Sequence, residues 1–511
     1  MERAVQWIQK FSATVPAEVR HRFRIDLRAL AVFRIALGSL LLADLLLRSR
    51  NLRAFYTDAG VLPRVALFGD YTQVYSIHAW FGSLQAQIGL FMIAGIAAIA
   101  IIIGYRPQTA AVVSWILLVS LHARNPMVLN GGDVLLRMLV FWAIFLPTGK
   151  RWTLTSSTTN RTESTVVSAA SAALLSQMVL LYVANLIHKS EGSFWFAGDA
   201  VSYVFSLDQF TILLGNSLEG FQLLLTVFNY LWIGVLFLSP LLLISTGITR
   251  ATIASAVGGM HLGMFLMLKL GLFPLIAVAG LIPFYPPVVW DILSKKISDI
   301  NKTNNNLNKV LSGIQATRNS IANQAPTRDR SELFSNKNFH DGVQILITVL
   351  PIIFFILILL SVGQSVGIVT MPDEAATIVE TTQTGQSWRM FAPDPPTTDG
   401  WFVTQGTLMN GGQRDVRTGD EVTFDRPPDL AATYPTARWR KYLENVRSVP
   451  NENHRSYAAH YFCSEWNRTH GNNVNKLTIY FMAQQSQLIE EPEPITRRQL
   501  HQYDCSGELI Q

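Results

Sequence analysis

Charge is what this sequence has least of. Of its 511 residues 15% are Asp, Glu, Lys or Arg, while 49% are apolar; a soluble globule typically carries ~25% charged residues. Acidic residues are nearly absent from the long apolar runs between residues 28 and 291. That excludes a water-facing surface there, and a relay of carboxylates across a bilayer. Cysteine is scarce too, with two in the chain, Cys463 and Cys505. No Cys-x-x-Cys and no Cys/His ligand spacing occurs, so no metal is expected. The Gly-x-Ser-x-Gly elbow and the phosphate-binding P-loop are also missing. A net charge of +6 is too modest to argue for nucleic acid. No cleavable leader is expected, because residues 1–28 are polar and basic (Arg20, Arg22, Arg24, Arg28) and lack a small-residue cleavage site.

What is present is a series of apolar runs. A helix needs ~20 mostly apolar residues to cross the hydrocarbon core. Runs near 29–48, 86–105, 108–124, 133–148, 168–188, 220–245, 251–270, 272–291 and 342–363 predict an all-α polytopic membrane bundle of about eight or nine transmembrane helices. The third and fourth runs are short. Residues 199–215 are apolar but too interrupted to span, and irregular backbone at that depth needs cover from other helices.

Basic loops set the expected orientation. The N-terminal segment 1–28, Arg106, the Lys150–Arg151–Arg161 loop, Arg250 and the lysine-rich 292–340 stretch all fall on one side, which is expected to be cytoplasmic. The 48–85 loop, with Arg48, Arg50, Arg53 and Arg64, breaks the pattern unless its first arginines snorkel from a helix end. The Asn-rich stretch 292–340 reads as a disordered linker. A last span at 341–364 then leads to an extracytoplasmic domain over 376–511. Strand-like runs (WFVTQGTL, KLTIYFMA), helical runs (TARWRKYLENV, HRSYAAHYFCSEW) and turn signals predict that this domain is small and α+β. On that side Cys463 and Cys505 could form a disulfide; two free buried thiols are the alternative. Trp388 and Phe391, just past the last span, either dock at the membrane interface or pack in a core.

Ionisable residues inside a membrane are the informative ones, because each is costly unless paired or hydrated. Tyr182, Asn185 and Lys189 are spaced i, i+3, i+7 and share a helix face, with His188 about 100° away. A lysine stripped of water can act as a general base; the alternative is a snorkelling lysine that anchors the helix end. His261 lies mid-span among glycines, suited either to substrate binding and proton transfer or to a plain interhelical hydrogen bond. His122, Arg124, Asn125, Asn130 and Asp133 cluster between the third and fourth runs. They either roof a pocket or form a hydrated turn with Asp133 as helix N-cap. Arg137 lies one turn deeper and needs a partner. Arg34 and Asp44 are separated by ~15 Å along one helix, so each needs a partner elsewhere.

Ordered blocks of this sequence resemble the horizontally transferred transmembrane (HTTM) family, whose best-understood members are the vitamin K-dependent γ-glutamyl carboxylases. The blocks are LAVFRIALGSLLLADLLLR in the first run, FYTDAGVLPR at 55–64, GYRPQTA at 104–110, RNPMVLNGGDVLLRMLVFW at 124–142, YVANLIHKSEGSFWFAG at 182–198 and HLGMFLMLKLGLFP at 261–274. The resemblance implies that Lys189 is the base acting on a reduced vitamin K or another quinol, with O2 and CO2 as co-reactants. It implies His261 as a second catalytic residue, and Tyr182, Asn185, His188, Asn130, Asp133 and Trp195 as substrate- or quinone-binding residues. Two departures stand out. Gly132 occupies the place of a carboxylase histidine, and Asn185 stands where glycine is usual. The C-terminal region is shorter than a carboxylase's and does not resemble its peptide-binding part. The chain style resembles a bacterial inner-membrane member acting on an exported peptide or protein.

Three functions are therefore weighed: a quinol-dependent, carboxylase-like lyase; a non-catalytic membrane module binding lipid, quinone or a partner; and a transporter, for which neither an internal repeat nor matched broken helices are found.

Overall fold

A computed structural model describes residues 16–71, 74–154, 164–218, 220–303, 337–488 and 493–506. Residues 1–15 of the expected N-terminal segment and 304–336 of the expected linker lie outside the described residues.

The chain is mostly helical. Its first long helix, α1 (Leu27–Ser49), is N-capped by Asp26, whose carboxylate accepts from the Arg28 amide at 2.7 Å. Next come α2 (Leu84–Ile103), α3 (Pro107–Arg124) and α4 (Gly131–Phe145). A capping box starts α5 (Ala169–Ser190): the Ser168 hydroxyl accepts from the Ser171 amide at 3.1 Å, and Ser171 reciprocates at 2.8 Å. The series continues with α6 (Gln222–Leu238), α7 (Gly247–Met267), α8 (Phe273–Leu281), α9 (Pro287–Thr303) and α10 (Lys337–Ser365).

By length and composition, four helices among the described residues can cross a membrane: α1, α2, α5 and the Ile347–Ser365 part of α10. A fifth is gained if the bent pair Phe273–Phe284 and Pro287–Asp299 is one span. Fewer helices meet this measure than the eight or nine expected. The reason is visible in α4 and α6, which are 15 and 17 residues long, and in α7, which carries Arg250 and His261 among small and hydroxyl side chains. Two prolines, Pro286 and Pro287, stand at the break between α8 and α9, where the chain turns by 101°. Residues 199–215 do not span; they form a short helix (Ala200–Phe205) and then loop back to α7 through a Thr211–Leu268 bridge.

The C-terminal part is a four-stranded antiparallel sheet carrying two helices. Its strands are β1 (Thr398–Leu408), β2 (Gln413–Asp415), β3 (Val474–Gln485) and β4 (Thr496–Asp504), in the order β2-β1-β3-β4. Phe402 of β1 pairs with Phe481 of β3 in the register. The helices α11 (Ala437–Ser448) and α12 (Asn453–Thr469) supply Trp439, Tyr442, Phe462 and Trp466 to the core. A disulfide joins Cys463 of α12 to Cys505 at the end of β4.

This sheet domain is seated on the bundle, not tethered beside it. One apolar core combines Leu52, Phe55, Tyr56 and Met127 with Trp439, Tyr442 and Tyr434. Phe55 and Trp439 rings lie 4.7 Å apart. Asp399 of β1 accepts from the Asp208 and Gln209 amides at 3.0 and 3.2 Å and from Arg426 at 2.6 Å, which fixes the irregular segment after α5.

Candidate functional site

A cavity lies between α5, α6 and α7 and is roofed by the sheet domain. It holds about 470 Å³, within the usual ~300–1,000 Å³ range of small-molecule sites. Tyr182, Asn185 and Lys189 all line it, as their common helix face requires. His261 from α7, Trp195 and Asn130 line it as well.

Lys189 is 1% exposed. Its Nζ donates to the carbonyl oxygens of Met390 at 2.9 Å and Phe391 at 3.0 Å, and lies 3.4 Å from the centroid of the Trp195 ring. It makes no ion pair with a carboxylate among the described residues. The lysine therefore does not snorkel; it turns inward and is shielded from water. Asn185 donates to the Trp388 and Met390 carbonyls at 2.8 and 3.1 Å, and the Trp195 indole donates to Phe391 at 2.8 Å. Residues 386–394 thus form a strap that runs from α10 across the cavity. Trp388 and Phe391 hold φ values of 56° and 50°, in the left-handed region that costs a bulky side chain free energy. Of the two placements open for Trp388, the structure has the buried one, at 4% exposure.

His261 is surrounded by rings. Tyr182, Trp232 and Phe273 have centroids 5.8, 5.5 and 5.9 Å from it. Its Nδ1 lies 2.9 Å from the Val257 carbonyl of its own helix. A carbonyl oxygen only accepts, so Nδ1 carries the proton and, in the neutral ring, Nε2 is left as an acceptor. The Tyr182 hydroxyl is buried and has no hydrogen-bond partner among the described residues.

Two expected binding residues stand elsewhere. His188 is buried on the far side of α5, 3.5 Å from the Ser365 hydroxyl of α10, as its 100° offset from Lys189 requires. Asp133 does not reach the cavity, and it is not the N-cap of α4. Asn130 is the cap, accepting from the Gly132 amide at 2.8 Å, while the Asp133 carboxylate accepts from the Asn130 amide at 2.8 Å.

Asp133 belongs instead to a buried charge cluster. Arg48 donates to Asp44 at 2.6 Å and to Asp133 at 2.5 Å. Arg438 of α11 donates to the same carboxylates at 2.6 and 2.8 Å. Asp44, His122 and Asp133 offer ligand atoms within 4.8 Å of one another, in the manner of a metal site, but two guanidinium groups fill the space between them. Arg137 donates to His122 at 2.9 Å and to the Gln383 side chain at 3.0 Å. Arg124 and Asn125 donate to the Leu62 and Phe55 carbonyls and hold the loop after α1. Arg34 finds the Trp152 carbonyl at 2.6 Å.

Residues 23–290 match the HTTM domain. The chain belongs to the HTTM family. This HTTM protein is accordingly membrane-embedded, and its matched region contains Lys189, His261 and all of α1 to α8. No curated protein and no solved structure matches the chain.

The HTTM cavity also has walls that the sequence did not reveal. Trp232 and Phe228 come from α6, Met390 and Phe391 from the strap, and Arg440, Lys441 and Glu444 from α11. Arg440 donates to the Gln209 and Lys269 carbonyls at 2.8 and 3.1 Å and lies over the Phe210 ring at 4.0 Å. Lys269 in turn donates to the Ala431 and Tyr434 carbonyls, both at 2.8 Å. Burial beside Arg440 pulls the Lys269 amine below its ordinary pKa, and burial lowers that of Arg440.

Proposed function

We propose that this HTTM protein is a quinol-dependent enzyme of the carboxylase type, with Lys189 as base, acting on an exported peptide or protein. One observation carries the reading: a water-excluded lysine, with no carboxylate partner among the described residues, shares a cavity with a ring-walled histidine. Amines in such surroundings are suited to taking a proton from a bound hydroxyl.

The donor set fits a reduced quinone. The part of the cavity lined by Tyr182, Trp232, His261 and Phe273 offers ring faces and edges to an aromatic ligand. His261 Nε2 can accept from one ring hydroxyl, and the unpartnered Tyr182 hydroxyl can bond an oxygen on the same ligand. Trp195 and the strap keep bulk water from Lys189. When bound, a quinol with O2 would supply the strong base and CO2 the added group. The polar end of the cavity, beneath Lys441 and Glu444, is where a peptide would approach.

We place the sheet domain on the outer face of a bacterial inner membrane. Basic loops on the opposite side and the Cys463–Cys505 disulfide support that orientation.

A second reading is favoured by the two hydrogen bonds that Lys189 already makes to the strap. In it, the lysine is a tether, and the protein is a non-catalytic module that binds lipid, quinone or a partner. Purified protein supplied with reduced quinones, oxygen and labelled bicarbonate separates the two. Quinol oxidation coupled to labelled product, lowered on the order of 100-fold or more in Lys189→Ala, is expected of the enzyme. A wild-type protein that binds quinones and turns over none of them is the module.

A further inference from the structure

Two ties fix the face of the bundle at which α9 begins. Near its end, at Asp44, the membrane-length helix α1 meets Arg438 of the sheet domain. In its first turn it meets α9 instead: the Arg28 guanidinium donates to the Asp291 carboxylate at 2.7 Å and to the Pro287 carbonyl at 3.3 Å. The second tie is α8. It starts under the sheet domain, just past Lys269 and its bonds to the Ala431 and Tyr434 carbonyls, and runs toward α9. The start of α9 therefore lies one bilayer thickness away from the sheet domain.

From that point α9 cannot go on across the membrane. The chain turns by 101° at its start, and Asp291, Lys295, Lys296 and Asp299 make the helix too charged to span. It is nevertheless apolar along one side. Val289, Leu293 and Ile297 follow one another at four-residue intervals, while Asp291, Ser294 and Ser298 group on the other side. Ile292, Leu293 and Ile297 are 51%, 45% and 50% exposed. Trp290 anchors the corner, its indole donating to the Tyr285 carbonyl at 3.1 Å; such aromatics gather where a membrane meets water. An amphipathic helix of this kind lies in the interface plane with its apolar side down.

The surroundings are basic. Lys295 and Lys296 are exposed on α9. Arg20, Arg22 and Arg24 are exposed just ahead of α1, on the same face of the bundle, and the Arg22 carbonyl is held by Arg250 at 2.7 Å. Asp291 is offset by Arg28.

We propose that α9 lies flat on the membrane face opposite the sheet domain, with Leu293 and Ile297 sunk to the acyl boundary, and that Lys295, Lys296, Arg20, Arg22 and Arg24 gather anionic phospholipid headgroups there. The proposal is independent of the quinol reading. Clustered lysines and arginines beside an amphipathic helix are attracted to anionic lipid, and long lysine stems can lie along hydrocarbon while their ammonium groups stay among the phosphates.

The test uses the full chain in nanodiscs. Both native cysteines are paired, so an introduced cysteine is the sole site for a nitroxide. Leu293→Cys, Ile297→Cys, Ser294→Cys and Ser298→Cys are labelled one at a time and relaxed with O2 or with a water-soluble nickel chelate. Labels at 293 and 297 are expected to favour O2 by about threefold or more, and those at 294 and 298 the nickel chelate. Nickel preference at all four positions means a helix in water, and O2 preference at all four means a crossing helix. Labels at 293 and 297 shielded from both reagents mean that protein covers the face. Each of these three results overturns the flat helix. The headgroup half is read by spin-labelled phosphatidylglycerol against spin-labelled phosphatidylcholine. The wild type is expected to restrict the anionic lipid about threefold more, a preference lost when all five cations become glutamine and kept in Lys295→Arg/Lys296→Arg. No preference in the wild type, or one that survives the five glutamines, overturns it.

Discussion

Arg438 of the sheet domain donates to Asp44 of α1 across 2.6 Å, 394 positions earlier in the chain. The same guanidinium bonds Asp133, and Arg48 bonds both carboxylates from the other side. Burial alone would lower the Arg438 pKa, but the two carboxylates hold it well above its ordinary value, with Asp133 the largest favourable contribution. Two positive and two negative charges therefore offset one another in a space largely closed to water. Removing one member leaves an uncompensated charge, which costs about 3–5 kcal/mol. Asp133→Asn should lower the unfolding temperature sharply, and Asp133→Asn with Arg438→Met should recover part of the loss. Equal losses in the single and double variants would show that the cluster is not one electrostatic unit.

Tyr182→Phe separates stability from binding. The hydroxyl it removes has no partner among the described residues, so the variant should be as stable as the wild type or up to ~1 kcal/mol more stable. Its affinity for a reduced naphthoquinone should fall about tenfold, the worth of one hydrogen bond in a dry site. Thermal unfolding and equilibrium binding, run on the same preparation, check both halves.

Cys463 and Cys505 are 42 positions apart. Closing a loop of that length stabilises a domain by about 4 kcal/mol in the chain-entropy account. Cys463→Ser should destabilise the sheet domain by about 2–4 kcal/mol. In cells, a maleimide reagent applied after denaturation should fail to label the wild-type thiols unless a reductant is added. Free labelling without reductant would place this domain in a reducing compartment and reverse the proposed orientation.

His78 supplies a pH dependence. The ring is buried in the loop before α2, 2.7 Å from the Ser120 hydroxyl. Burial, aided by Arg124 and Arg48, pushes its pKa down from 6.5 to about 3. The unfolded chain binds a proton at its ordinary pKa, and the folded one does not. Stability is then complete above about pH 6.5 and declines as pH falls toward 3, by about 1.4 kcal/mol per unit. His454, lowered by burial as well, acts in the same direction. His78→Gln should flatten the fall in unfolding temperature between pH 6 and 4; an unchanged slope would assign the effect to other groups.

Much of this was legible because membranes simplify the code. Apolar runs located α1, α2, α5 and the last span, since ~20 mostly apolar residues in sequence are what a bilayer crossing requires. The i, i+3, i+7 spacing put Tyr182, Asn185 and Lys189 on one wall for geometric reasons alone, and the same arithmetic turns His188 away. Where the sequence misled, the cause was long-range pairing. Asp133 looked like a cap or a pocket residue because its true partners, Arg48 and Arg438, are 85 and 305 positions away. The strap could not be anticipated either. Its contribution is backbone carbonyls, which every residue possesses, so no side-chain pattern announces that Met390 and Phe391 will meet Lys189. The helices α4 and α6, at 15 and 17 residues, fall below the spanning length that their apolar runs suggested, because hydropathy does not register where a helix stops.

The strap has one more implication. As the neutral amine that a base must be, Lys189 has two hydrogens to donate, and both are engaged by the Met390 and Phe391 carbonyls. A small molecule that draws this nitrogen toward itself competes with main-chain atoms anchored at one end in α10 and at the other in β1. Such competition works in both directions by thermodynamic necessity: whatever loosens the strap from outside sharpens affinity within, by the same factor that an occupant eases the loosening. A macromolecule grasped by the sheet domain could thereby announce its arrival to a cavity it never touches.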